Sequence, residues 1–389
     1  MIRKYYLGLN ANGPGALKAL FSHGSSRSLR DFSELLAGKY QGAPILTKNG
    51  RSALTIALKS YFEPGDKIIV NAFTCYAVYE AVVEAGMTPV FADISEKDLN
   101  FDVNTLEGFW TGPAAPPPPR KLGGGPLPGA SPVHVPRGII IQNSLGNMVN
   151  MEAMEKFAKK HGLVIIEDLA HSAGMKYPDG REVGAVGAAT VLSFGKDKSI
   201  NTVTGGAVVL RSPVKHEIEA PFNVPQISEV LRARFYPLFC KICRGLNYVH
   251  LGGLLMRFLI LTHQVERSAD SKLDLTRKPP KFVAKLAMQQ VKNFHHRGQP
   301  KPRDFYLVKE RGEVLLKLRK AGYYFDSFWY ERPVSPERYY KKVQFPEKDC
   351  PNAVRITGQI INFPTYYKKQ DLKKAYEIIR PYLIGGKND

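Results

Sequence analysis

From about residue 43 to residue 210 the chain alternates short apolar runs with amphipathic ones, and this rhythm restricts the fold more than any other feature. IIV at 68–70, PVF at 89–91, III at 139–141, VII at 164–166 and VVL at 208–210 have the length and branched side chains of buried strands. Between them lie segments with apolar residues at helical spacing: NGRSALTIALKSYF, YAVYEAVVEAG and MEAMEKFAKKHG, the last two stopping at a glycine. A further helix is predicted after Asp102, in DVNTLEGFW. Strands that are apolar throughout, each separated by a helix, imply a mostly parallel sheet covered on both faces. The expected class is therefore α/β: a three-layer large domain over 1–213, then a smaller C-terminal α+β domain over 276–389.

Two stretches break the rhythm. Residues 111–136 are rich in Pro and Gly with few large apolar side chains, as in a flexible surface insertion. Residues 214–275 read as a basic, amphipathic helical insertion. Within it, 228–267 interleave Leu, Phe, Ile and Met with Arg232, Arg234, Lys241, Arg244, Arg257 and Arg267. Two readings stand for this segment: an apolar dimer or domain interface with basic edges, or a hairpin lying on an anionic membrane surface.

Lys and Arg exceed Asp and Glu by 20, which favours an anionic partner. No nucleic-acid motif accompanies the charge, so nucleic acid is not expected. Four cysteines in 389 residues do not make a disulfide framework, and Cys240 and Cys243 have no second pair with which to hold a metal. The start lacks a signal-peptide core, and no apolar run is long enough to span a bilayer. A cytoplasmic protein is expected, with the membrane reading of 228–267 placing it at the inner face.

Four candidate site segments follow strands or open helices, where open α/β sheets bind ligands. Asn49-Gly50-Arg51-Ser52 opens a helix whose free N–H groups suit a phosphate. Phe73-Thr74-Cys75-Tyr76 offers an aromatic to stack on a flat ring. Glu167-Asp168-Leu169-Ala170-His171 ends a buried strand with a carboxylate able to hold a protonated heterocyclic nitrogen. Ser193 and Phe194 precede two lysines, Lys196 and Lys198, in the short loop before Gly205-Gly206. A lysine kept beside a core can react as a free amine. Phosphate cup, buried acid, stacking aromatic and loop lysine together are what pyridoxal phosphate requires.

With these residues the chain resembles the DegT/StrS nucleotide-sugar aminotransferases, of the aspartate aminotransferase fold group. NGRSALTIAL, PGDKIIVNAFTCYAVYEAVVEAGMTPVFADI, the block GIIIQNSLGNMVNMEAMEKFAKKHGLVIIEDLAHSAG and VGAVGAATVLSFGKDKSINTVTGGAVV carry the likeness, which covers roughly half the chain. The family places Ser-Phe, three residues, Lys, then Gly-Gly beginning seven onward. Lys198 fits that spacing and Lys196 does not. The resemblance therefore implies pyridoxal 5'-phosphate as cofactor, with Lys198 as the Schiff-base lysine, Asp168 on the ring nitrogen and His171 near the ring oxygen. Ser193, Gly50, Arg51 and Ser52 would surround the phosphate, and Tyr76 would supply stacking. It also implies a homodimer, a keto-sugar acceptor and an amino-acid donor. The chain departs from the family pattern at Asn49-Gly50-Arg51 (Ser-Gly-Thr there), at Cys75 (aromatic there) and at Thr204 (acidic there). Arg277 is the nearest counterpart of the Asn-x-Arg segment that a partner subunit lends. Two alternatives are a sugar dehydratase, whose relatives carry His in place of the lysine, and a non-catalytic, membrane-associated regulatory homologue.

Overall fold

The structure, a computed structural model, describes residues 20–109, 135–196, 198–246, 249, 251–265, 271–294, 304–323, 330–363 and 369–386. The Pro/Gly-rich insertion, but for its last two residues, lies outside these. Helix α1 (Ser26–Tyr40) leads into β1 (Ala43–Thr47), α2 (Gly50–Tyr61), β2 (Lys67–Asn71), β3 (Thr74–Cys75), α3 (Tyr76–Glu84) and β4 (Thr88–Ala92). Then follow α4 (Val103–Phe109), β5 (Pro136–Ile141), α5 (Met151–His161), β6 (Val164–Asp168), β7 (Ala189–Ser193) and β8 (Gly206–Leu210).

Seven of these strands form one sheet in the order β1-β8-β7-β6-β5-β2-β4. Strands β4, β2, β5, β6 and β7 are mutually parallel, and β8 runs antiparallel to both β7 and β1. Side-chain alternation divides each strand between two cores. Ile68, Val70, Ile140, Ile166, Val191 and Val208 face α2 and α3. Ile69, Ile139, Ile165, Leu192 and Val209 face α1 and α5. Burying each of these side chains contributes roughly 1.5–3 kcal/mol, which is why the strands read as unbroken apolar runs.

After the sheet come α6 (Ile227–Leu246) and α7 (Gly252–Leu261), an antiparallel helical pair with its own small core of Tyr236, Cys240, Cys243, Met256 and Leu259. Helix α8 (Lys281–Lys292) then packs Phe282, Val283, Ala284 and Ala287 against Phe32 and Leu36 of α1. The sequence reading groups this helix with the C-terminal domain; its apolar face instead completes the outer layer of the large sheet. The remaining elements are β9 (Phe305–Val308), α9 (Arg311–Lys320), β10 (Val334–Ser335), α10 (Glu337–Tyr340), α11 (Pro351–Gln359), β11 (Ile360–Asn362), α12 (Lys369–Ile379) and β12 (Leu383–Gly386). Strands β11, β9 and β12 form a three-stranded antiparallel sheet, packed by α9 and α12 around Tyr306, Val314, Leu318 and Ala375. Among the described residues no helix is long and apolar enough to cross a membrane.

Candidate active site

The carboxyl ends of β2, β5, β6 and β7 open onto one end of the sheet, as parallel strands require, and the segments singled out in the sequence follow them. Strand β6 ends in two acids pointing opposite ways. Glu167 turns into a buried knot, where it accepts hydrogen bonds from Tyr177 Oη at 2.6 Å, Gly184 N at 2.7 Å and Val186 N at 2.8 Å. It is structural. Asp168 points toward the site and accepts the Ala170 N–H at 3.0 Å. Burial pushes its carboxyl above the usual range, opposed by the nearby Lys198 charge and by that N–H.

Lys198 Nζ lies 3.2 Å from His171 Nε2. The other ring nitrogen, Nδ1, accepts the Leu145 N–H at 3.2 Å. That donor sits in a turn after β5 where Asn143, Leu145 and Gly146 have φ of 51°, 55° and 85°. A bulky residue such as Leu in this left-handed region is strained, and such strain concentrates at functional sites. The turn is held by Asn100 Oδ1, which accepts the Ser144 N–H at 2.8 Å, and by Asn143 Oδ1, which accepts the Val149 N–H at 3.1 Å. Sequence reasoning missed this turn, although Asn-Ser-Leu-Gly-Asn is turn chemistry.

At the phosphate end, Gly50 comes so close to β7 that a Cβ there would sit 2.6 Å from Ser193 Cβ. Asn49 caps α2 by accepting the Ser52 N–H at 2.9 Å. Ser52 Oγ bonds both the carbonyl and the N–H of Asp274, at 3.0 and 3.1 Å. Arg51 is buried and pairs with Glu80 of α3. Of the predicted phosphate group, therefore, the structure brings Gly50 and Ser193 together and ties Arg51 and Ser52 to neighbouring elements. Tyr76 stacks on Tyr339 of α10, ring centroids 4.5 Å apart and ring planes nearly parallel at 11°. Arg277 is held by Glu229 at 2.9 Å and Asp274 at 3.3 Å. Lys196 is buried, its Nζ over the Tyr236 ring of α6 at 4.2 Å.

The lysine loop closes with Val203 at φ 75°, a conformation a β-branched residue rarely adopts. Val203 packs against both the sheet core and the helical pair α6–α7. The Thr202 hydroxyl bonds the Thr204 carbonyl at 2.8 Å, bracing the turn.

A DegT/DnrJ/EryC1/StrS aminotransferase family model matches residues 25–240, more than half of the chain. The chain belongs to this family. It is a pyridoxal-phosphate-dependent sugar aminotransferase by that membership. A pleiotropic regulatory protein of Geobacillus stearothermophilus is 33% identical over 335 residues, 85% of this chain and 82% of that one. A UDP-N-acetyl-3-dehydro-alpha-D-glucosamine 3-aminotransferase of Acidithiobacillus ferrooxidans is 32% identical over 170 residues, 43% of this chain and 40% of that one. The fold matches a DegT DnrJ EryC1 StrS aminotransferase from Brucella abortus with a TM-score of 0.60, at 17% identity over 92% of this chain and 91% of that one.

The site fits the family's cofactor at its reactive end. Asp168 is a buried carboxylate whose charge burial opposes, so a pyridinium N–H would relieve it. Lys198 would supply the amine, and His171 a polar edge beside it. At the phosphate end, Asn49 and Asp274 take up bonding groups of Ser52.

Proposed function

We propose that the protein transfers an amino group from an amino acid, glutamate, to a nucleotide-linked keto sugar, with Lys198 as the catalytic amine. The observation that carries this reading is the convergence of Lys198, His171 and Asp168 at the strand ends, with Nζ 3.2 Å from the imidazole. Pyridoxal phosphate, when bound, supplies an aldehyde carbon that combines with amines and a ring that withdraws electrons from the adjoining carbon. Asp168 would hold the proton on the ring nitrogen. Lys198 Nζ would anchor the cofactor and, once displaced by the donor, move a proton from the donor's α-carbon and later to the acceptor carbon. Gly50 and Ser193 would line the phosphate, where the opening of α2 favours an anion.

The net charge of +20 suits a diphosphate-linked acceptor. The 3-aminotransferase relative, whose name specifies a UDP-linked dehydro sugar, points the same way. A homodimer is proposed with it. A dehydratase is disfavoured because a lysine, not His, occupies position 198.

The test is a two-stage assay on the cofactor-loaded protein. Glutamate should be converted stoichiometrically to 2-oxoglutarate, and a UDP- or dTDP-linked keto sugar should then gain an amino group by mass. Cofactor-loaded protein that forms no keto acid from glutamate or any other amino acid would overturn the aminotransfer reading.

A further inference from the structure

The helical pair α6–α7 shows an unusual outer surface. Leu231, Phe235 and Ile242 are exposed on α6, spaced four and seven residues apart, so they share one helix face. Leu254, Phe258 and Leu261 are exposed on α7, at 61%, 60% and 77%, again on one face. The inner faces are used up by the pair's own core and by contacts to the large domain through Tyr236 and Val203. Large exposed apolar side chains this concentrated mark an interaction surface.

Charge decides what occupies it. No Asp or Glu occurs from residue 230 to residue 265, while five Lys or Arg do: Arg232, Arg234, Lys241, Arg244 and Arg257. Lys241 and Arg257 are exposed beside the apolar stripes. A two-fold interface between two copies would set this acid-free basic surface against itself, like charge on like charge. An anionic bilayer complements both features, because apolar side chains enter the headgroup boundary while cations meet lipid phosphates. At ten residues α7 is too short to span a bilayer and suited to lying in its surface.

We infer that the outer face of α6–α7 docks the protein on an anionic membrane surface. The docking face is rigidly linked to the active-site end of the sheet. Glu229 of α6 pairs with Lys48, next to the opening of α2, at 2.9 Å, and Tyr236 covers Lys196. Docking therefore holds the lysine loop close to the bilayer.

The experiment is co-sedimentation of the full-length, cofactor-loaded protein with vesicles of phosphatidylcholine alone or mixed with phosphatidylglycerol. The parent is compared with Leu254→Glu/Phe258→Glu and with Lys241→Glu/Arg257→Glu. The cofactor absorbance band reports folding, and light scattering reports the oligomeric state. The parent should sediment with the anionic vesicles and stay in solution with the neutral ones. Each double variant should bind at least tenfold more weakly, with the band and oligomeric state unchanged. Three results would overturn the inference: a parent that ignores anionic vesicles, an apolar-stripe variant that binds as the parent does, or one that breaks an oligomer apart. The second would mean unspecific adsorption of a basic chain, the third an interface between copies.

Discussion

Lys198 Nζ and His171 Nε2 are 3.2 Å apart, and the opposite nitrogen of that imidazole accepts the Leu145 N–H. The second bond determines the first. With Nδ1 accepting, a neutral imidazole carries its proton on Nε2, so Nε2–H donates toward Nζ. The strained turn at Leu145 thus fixes, through one intervening ring, the imidazole edge that Lys198 Nζ meets.

His171→Ala removes a single hydrogen bond from Nζ, worth about 1 kcal/mol, or roughly fivefold in rate. The variant should keep its cofactor absorbance band while kcat falls by about that factor and KM for the acceptor is little changed. Steady-state kinetics beside the spectrum checks this. Loss of the band would show that His171 holds the cofactor rather than tuning the lysine.

Asp168 makes the stability of the cofactor-free protein depend on pH. Its carboxyl is raised in the folded state by burial, so between the ordinary Asp range and that raised value the folded chain binds more protons than the unfolded one. Its contribution to stability therefore falls as pH rises through that window. Asp168→Asn keeps an oxygen for the Ala170 N–H and removes the charge. The cofactor-free variant should melt higher than the parent at neutral pH, and the two curves should converge below about pH 4. Thermal melts across pH decide it, a pH-independent difference counting against the buried charge. With cofactor bound, the same variant should lose activity on the order of 10²–10⁴-fold.

Glu167, one residue earlier, predicts the opposite outcome. Its carboxylate is encircled by donors from Tyr177, Gly184 and Val186. Glu167→Gln puts an amide NH₂ against them and should destabilise the fold by about 2–3 kcal/mol, with no specific effect on the cofactor spectrum of the folded fraction. Denaturant unfolding measures this. A change within about 0.5 kcal/mol, typical of surface positions, would contradict the structural role.

The contrast between these neighbouring acids shows what the sequence can convey. Apolar runs located β2, β4, β5, β6 and β8, and helical spacing located α2, α3 and α5 between them, because such patterns are local; the edge strand β1 was not singled out. The family resemblance, through its spacing to Phe194 and Gly205, singled out Lys198 over Lys196. Contacts between distant segments leave no local pattern: the bond from Ser52 to Asp274 and the stack of Tyr76 on Tyr339 each join residues more than two hundred apart. The packing of α8 on α1 was likewise not legible, since residues 281–292 carry no signal of which core they meet. The turn at Leu145 was obscured by a side chain that disfavours the conformation it adopts.

The central claim is that Lys198 is the amine that carries the cofactor. Borohydride reduction of the cofactor-loaded protein fixes pyridoxal phosphate to whichever amine holds it, and peptide mass mapping locates it. The account predicts the added mass on Lys198, with Lys196 unmodified beneath Tyr236. Label on Lys196, or on no lysine of this loop, would contradict it.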